Sequence, residues 1–259
     1  AQALGGIMDI TGHRNGAPLK TGAPIVDGTT AHMVVIAALS ALRLRDTSGE
    51  GQLVEVNLLE GLLNLQPTIV SQVLIDNDVP PKVGCGSDLI SPYGLFECAD
   101  GKFLQVCSLN DKFFTKICEA LDVNDLTTDA RFKTAQNRLD NNDALEAVIA
   151  EKMLSKNSIE HMQRFIDCDV MAAPVKSMRE SLLDPQIQHN QLIQDVEHGK
   201  LGIIKTATLP IKFGSANGSN LPAGAAPSLG EHSESILLDL GYTKDRIDDL
   251  IKQGVVAQS

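Results

Sequence analysis

Apolar and polar positions follow two different periods along this chain. Over 31–45, apolar residues recur at helical spacing (Met33, Ile36, Ala37, Leu39, Leu44), and Arg43 and Arg45 stand in the closing turn. That pattern predicts a helix. Around Val54 and Val56 the period shortens to two, which predicts a strand over 52–57. Helical spacing returns over 58–76, with Pro67 as a kink because it removes a backbone donor. Residues 93–106 read as a hairpin turning at Ala99-Asp100-Gly101, since Asp-Gly suits the tight turns that join strands. Helices follow at 111–121, 141–155 and 158–166, and 93–176 reads as a compact α+β unit. A short helix after Ser177, a second hairpin at His198-Gly199-Lys200 and helices at 231–240 and 244–253 complete the chain. The stretch before Val26 is rich in Gly, Pro and Thr and predicts a short helical piece followed by turns. Residues 79–91 and the Pro/Gly/Ala/Ser-rich 215–228 read as loops, and there is no internal repeat.

Composition narrows what such a chain does. At 43% hydrophobic and 21% charged, its 259 residues suffice to bury a core. The net charge of −11 repels nucleic acid and anionic membranes, so neither is an expected partner. No apolar run of transmembrane length and no signal peptide stand out, which predicts a cytoplasmic setting. Trp is absent and aromatic residues make up 3%, which argues against a surface built to stack bases or sugars. The five cysteines are odd in number and include no C-x-x-C pair, so they read as reduced thiols. The six histidines lack metal-ligand spacing, and Glu231-His232 is no H-E-x-x-H, so no metal site is expected. Gly5-Gly6 follows no strand and is no dinucleotide fingerprint.

Two places suit covalent chemistry. Asp27 stands at the N-terminal edge of the predicted helix, where free N–H groups and the helix dipole favour a carboxylate by about 0.3–1 kcal/mol. Gly28 and Thr29 beside it are small, so an acyl group has access. A plain helix cap is the competing reading of this aspartate. The loop Gly84-Cys85-Gly86-Ser87 is small enough to turn backbone N–H groups toward an oxyanion; a linker between subdomains is the alternative. Cys85 has no histidine near it in sequence to act as its base.

Ordered blocks along the chain then narrow the reading further. Gln2-Ala3-Leu4-Gly5-Gly6-Ile7-Met8, Thr11-Gly12 and Gly22-Ala23-Pro24-Ile25-Val26-Asp27 come first. Ser48-Gly49-Glu50-Gly51-Gln52-Leu53-Val54-Glu55-Val56, Pro92-Tyr93-Gly94-Leu95-Phe96 and Ala173-Pro174-Val175 follow. Asp184-Pro185-Gln186, Pro210-Ile211-Lys212-Phe213 and Pro227-Ser228-Leu229-Gly230-Glu231-His232 close the series. Together they resemble the family III CoA-transferases of the CaiB/BaiF type.

The resemblance implies an α/β fold, with an incomplete large Rossmann-like domain and a smaller α+β domain. Residues 1–75, carrying the catalytic Asp27, and 185–259 would belong to the large domain. Residues 76–184 would form the linker and the small domain. A preceding Rossmann-like portion of the family has no counterpart here. The implied substrates are acyl-CoA, with coenzyme A as the carried group, and a small carboxylic acid. CoA transfer would run through anhydride and thioester intermediates on Asp27, with Gly84, Gly86 and Ser87 in the active-site loop. The implied partner is a second copy in an interlocked homodimer, or the missing N-terminal half. An α-methylacyl-CoA racemase-like enzyme is the alternative activity, although the Asp-Gly-Thr-Thr run is more transferase-like. The non-enzymatic alternative is an inactive truncated fragment that only folds or dimerises.

Overall fold

The computed structural model describes residues 1–212, 214 and 224–257. Phe213 and most of the predicted 215–228 loop lie outside them. The chain divides into two compact units, Ala1–Val175 and Lys176–Ser259.

The first unit opens with the short helix α1 (Ile7–Ile10), then α2 (Ile25–Ser48), α3 (Leu58–Asn64) and α4 (Pro67–Asp76). Its second part comprises β1 (Tyr93–Glu97), β2 (Phe103–Cys107), α5 (Asp111–Ala120), a 3-10 turn at Asn124–Thr127, α6 (Ala135–Asp140), α7 (Asn142–Met153), α8 (Ser158–Asp167) and β3 (Met171–Pro174). β1 and β2 form the predicted hairpin, Tyr93 opposite Cys107 and Glu97 opposite Phe103. Gly101 at the turn has φ +72°, a region glycine enters without steric cost. β3 adds antiparallel to the far side of β2.

Helices α5, α7 and α8 bury one face each against this sheet: Phe114 and Ile117, Leu145 and Ile149, and Phe165 pack with Phe96, Leu104 and Val106. Asparagine caps start α5 and α8, Asn110 accepting from the Phe113 amide and Asn157 from the Glu160 amide. Arg138 is 1% exposed in this core. Its guanidinium donates to the carbonyls of Ser91 (3.0 Å) and Phe132 (3.1 Å) and to Asp111 (2.7 Å), and it stacks 4.5 Å from the Phe114 ring centroid. Burial pushes the Cys98 thiol up to about 11 and the Cys118 thiol to about 12, so both are inert fillers of apolar space. Desolvation holds buried His161 below its usual range, with Nε2 2.9 Å from the Met153 carbonyl.

The front of this unit departs from the sequence reading in three ways. Residues 52–57 form no strand, because a strand exists only when paired and none of the described strands lies beside them. The single helix read over 58–76 is two helices, although the kink read at Pro67 is borne out: Pro67 occupies the first turn of α4, at a 79° break from α3. α2 is longer than the predicted 31–45: it starts directly after Pro24 and runs 24 residues. By length and composition it meets the requirements of a membrane-crossing helix, which corrects the reading that no apolar run of that length exists. Only Val26 and Thr30 of α2 are buried, while Val34, Val35, Ile36, Leu39, Leu42 and Leu44 are exposed.

The second unit contains α9 (Met178–Leu182), α10 (Pro185–His189), the hairpin β4 (Ile193–His198) and β5 (Gly202–Ala207), α11 (Ser233–Asp239) and α12 (Lys244–Lys252). Ser177 and Glu180 form a reciprocal capping box on α9, and Asp184 caps α10. Among the described residues both sheets are antiparallel throughout.

Candidate active site

Asp27 is the third residue of α2 and is exposed. Pro24 at the cap position offers no side-chain acceptor to the first turn, so the orphan amides there are left to water or an incoming anion. The Ile25 amide donates to the Ala23 carbonyl at 2.9 Å and the Gly28 amide to the Pro24 carbonyl at 3.1 Å, so the amides of Val26 and Asp27 are the ones left over. A side chain added at Gly28 would meet nothing within 4 Å, so the space beside Asp27 is open.

The residues before Asp27 are held in place by motif residues whose roles are structural. The Gln2 carboxamide oxygen accepts the Thr21 amide (3.0 Å) and hydroxyl (3.3 Å), fixing the turn that feeds α2. Gly5 lies flush on α3, where a Cβ would stand 2.4 Å from Leu62 Cδ2. The buried Gln66 amide donates to the carbonyls of Gly5 and Leu62, both at 3.1 Å.

Gly84, Gly86 and Ser87 form a tight loop. Gly84 has φ +65° and donates its amide to the Gly12 carbonyl (2.9 Å), which ties this loop to the His13-Arg14 turn. The Gly86 amide donates to Val83 (3.0 Å), and Ser87 Oγ accepts the amides of Leu89 (3.1 Å) and Ile90 (3.2 Å). Both glycine amides are therefore committed within the chain. Gln105 Nε2 donates to the Cys85 carbonyl at 3.2 Å, so that carbonyl is held outside the turn.

Gly84 and Gly86 line a cavity of about 460 Å³ together with His13, Arg14 and Glu146. Ser87 lines a neighbouring one of about 840 Å³. Arg14 lines both, paired to Asp143 at 3.2 Å. The three loop residues thus line two adjoining cavities, and Asp27 is in the lining of neither. His13, Arg14, Asp143 and Glu146 were not legible as loop neighbours, because no periodicity links positions 129 residues apart.

Comparison with known proteins places this arrangement. The fold is similar to a crystal structure of a CAIB/BAIF family protein from Brucella suis, with a TM-score of 0.79 and 27% identity over 92% of this chain and 61% of that one. A family model, CoA-transferase family III, matches residues 1–233. The chain belongs to CoA-transferase family III. It is 32% identical to a succinyl-CoA:mesaconate CoA-transferase of Haloarcula marismortui over 96% of its own length and 63% of that protein's. It is 28% identical to the human succinyl-CoA:glutarate CoA-transferase over 100% and 58%. The chain therefore spans about three fifths of the length of the relatives it matches.

Proposed function

We propose that this chain supplies the nucleophile of an enzyme that moves CoA from an acyl-CoA to a small dicarboxylic acid. The observation that carries this is an exposed, accessible Asp27 on the first turn of α2, in a chain of this family. An Asp27 oxygen attacks the thioester carbonyl and expels CoA thiolate, giving a mixed anhydride. The thiolate then attacks the Asp27 carbonyl of that anhydride, releasing the first acid and leaving an aspartyl-CoA thioester. The acceptor carboxylate attacks this thioester, again freeing thiolate. Attack of the thiolate on the acceptor's carbonyl yields the new acyl-CoA and restores Asp27. Covalent bookkeeping of this kind keeps the thioester's free energy on the enzyme instead of losing it to water.

Donor amides for the developing oxyanions come from the start of α2, since those of Gly84 and Gly86 are engaged. The dicarboxylate preference is taken from the relatives, which are named for mesaconate and glutarate. The protein expressed from its complete gene is expected to convert succinyl-CoA and a five-carbon dicarboxylate to the exchanged pair, followed by chromatography of the CoA esters. Turnover with monocarboxylates alone would remove the dicarboxylate part. Epimerisation of an α-methylacyl-CoA without exchange of acid would point to racemase chemistry instead.

The exposed apolar face of α2 and the unpaired 52–57 segment belong, in this proposal, against protein: a second copy or another part of the enzyme. A cytoplasmic setting is part of the same reading. Exposed apolar patches of a few hundred Å² and open backbone drive association. The isolated 259-residue chain is expected to elute as a dimer or larger species in size exclusion with light scattering, and to lack transferase activity. A monodisperse, stable monomer, or one that partitions into lipid vesicles, would contradict it.

A further inference from the structure

We propose that the contact between Thr30 and Gly61 sets where Asp27 stands, which makes both of them positioning residues. The proposal rests on the reading of Asp27 as nucleophile. Thr30 lies one turn beyond Asp27 on α2 and is 7% exposed. Its Oγ1 has no hydrogen-bond partner, so the side chain is held by shape and not by bonding. A Cβ at Gly61 would stand 2.6 Å from that oxygen and 3.6 Å from both Thr30 Cβ and Met33 Sδ. The missing methyl is what lets α3 lie against the first turns of α2.

The other face of α3 is fixed. Leu62 is fully buried under Gly5, Gln66 bonds back to Gly5 and Leu62, and the Asn57 carboxamide caps the helix at the Glu60 amide (2.9 Å). α2, by contrast, buries only Val26 and Thr30. A methyl at 61 would fall about 0.8 Å short of the 3.4 Å at which ordinary contact begins. Thr30 is buried, so swinging its Oγ1 away from position 61 would press it into packed neighbours. α2 is the partner that yields, because beyond Val26 and Thr30 none of its residues is buried, and Asp27 shifts with it. Displacing a reacting group by about 1 Å costs up to roughly 100-fold in rate.

The test uses the protein expressed from its complete gene, with turnover and the rate of CoA adduct formation on the Asp27 peptide measured by quenched mass spectrometry. Gly61→Ala is expected to lower kcat and adduct formation about 10- to 100-fold with KM nearly unchanged. Gly61→Ala combined with Thr30→Ala removes the clash and is expected to recover most of the rate, a coupling that independent structural damage would not give. A folded Gly61→Ala that forms the adduct at the wild-type rate overturns the proposal while leaving Asp27 as nucleophile. So does a double variant as slow as the single one. Should Gly61→Ala not fold, Thr30→Ala alone loosens the same contact, and an unchanged kcat there overturns the proposal. A wild-type protein that turns over without any adduct on Asp27 removes the nucleophile assignment and this proposal together.

Discussion

Replacing Asp27 by Asn or Ala is expected to lower CoA transfer by about 10³-fold or more, because an amide or methyl cannot form the anhydride on which both half-reactions depend. The fold should hardly register the change. Asp27 is exposed, and its stabilising contribution is limited to the dipole of the first turn, about 0.3–1 kcal/mol. Loss of rate with retained stability separates a nucleophile from a helix cap. Exposure of the wild-type protein to acyl-CoA should leave a CoA adduct on the peptide that contains residue 27, and the Ala variant should carry none. An adduct of equal yield on the Ala variant would place the nucleophile elsewhere.

The largest effect on stability is expected at Arg138. Replacement by Met keeps the volume but strips two buried carbonyls, Ser91 and Phe132, of their donors. An unsatisfied buried acceptor costs about 1–3 kcal/mol, and relief from burying a guanidinium returns part of that. The ion pair with Asp111 adds little, since that carboxylate is 73% exposed and well solvated. The net expectation is a loss of about 2–4 kcal/mol, read as a lower urea midpoint at unchanged m-value. Lys is expected to fall in between, because one ammonium cannot reach three acceptors set out for a planar fork. A loss below about 0.5 kcal/mol would mean that water replaces the guanidinium at both carbonyls.

These two residues also mark what the sequence exposes and what it conceals. The helix start beside Asp27 was legible from its neighbours, as were the β1–β2 hairpin and helices α5, α7 and α8, because the signals are local: an Asp-Gly turn and apolar stripes at 3.6-residue spacing; the turn at Asn124–Thr127 and α6 were not. Arg138 looked like any surface arginine, since its partners lie 47, 6 and 27 positions away. The 52–57 segment failed for the opposite reason: its alternation is genuine, but strand formation depends on a neighbour as well as on the pattern. At Gly84 and Gly86 the composition signalled a special loop correctly. Whether their amides face a ligand or another carbonyl is decided by Gly12 and Val83, which composition cannot show.

β3 has a consequence for the order in which the chain can fold. The β1–β2 hairpin is complete at Cys107, yet the strand that closes its open edge begins 64 residues later, at Met171. At about 5–20 residues per second, a ribosome takes roughly 3–13 s to cover that distance. During this interval Leu104 and Val106, both fully buried at the end, sit on a strand with unpaired amides and carbonyls. The nascent chain is therefore most vulnerable to strand addition by a neighbour between synthesis of residues 107 and 174, and a stop codon in that window would release the edge permanently.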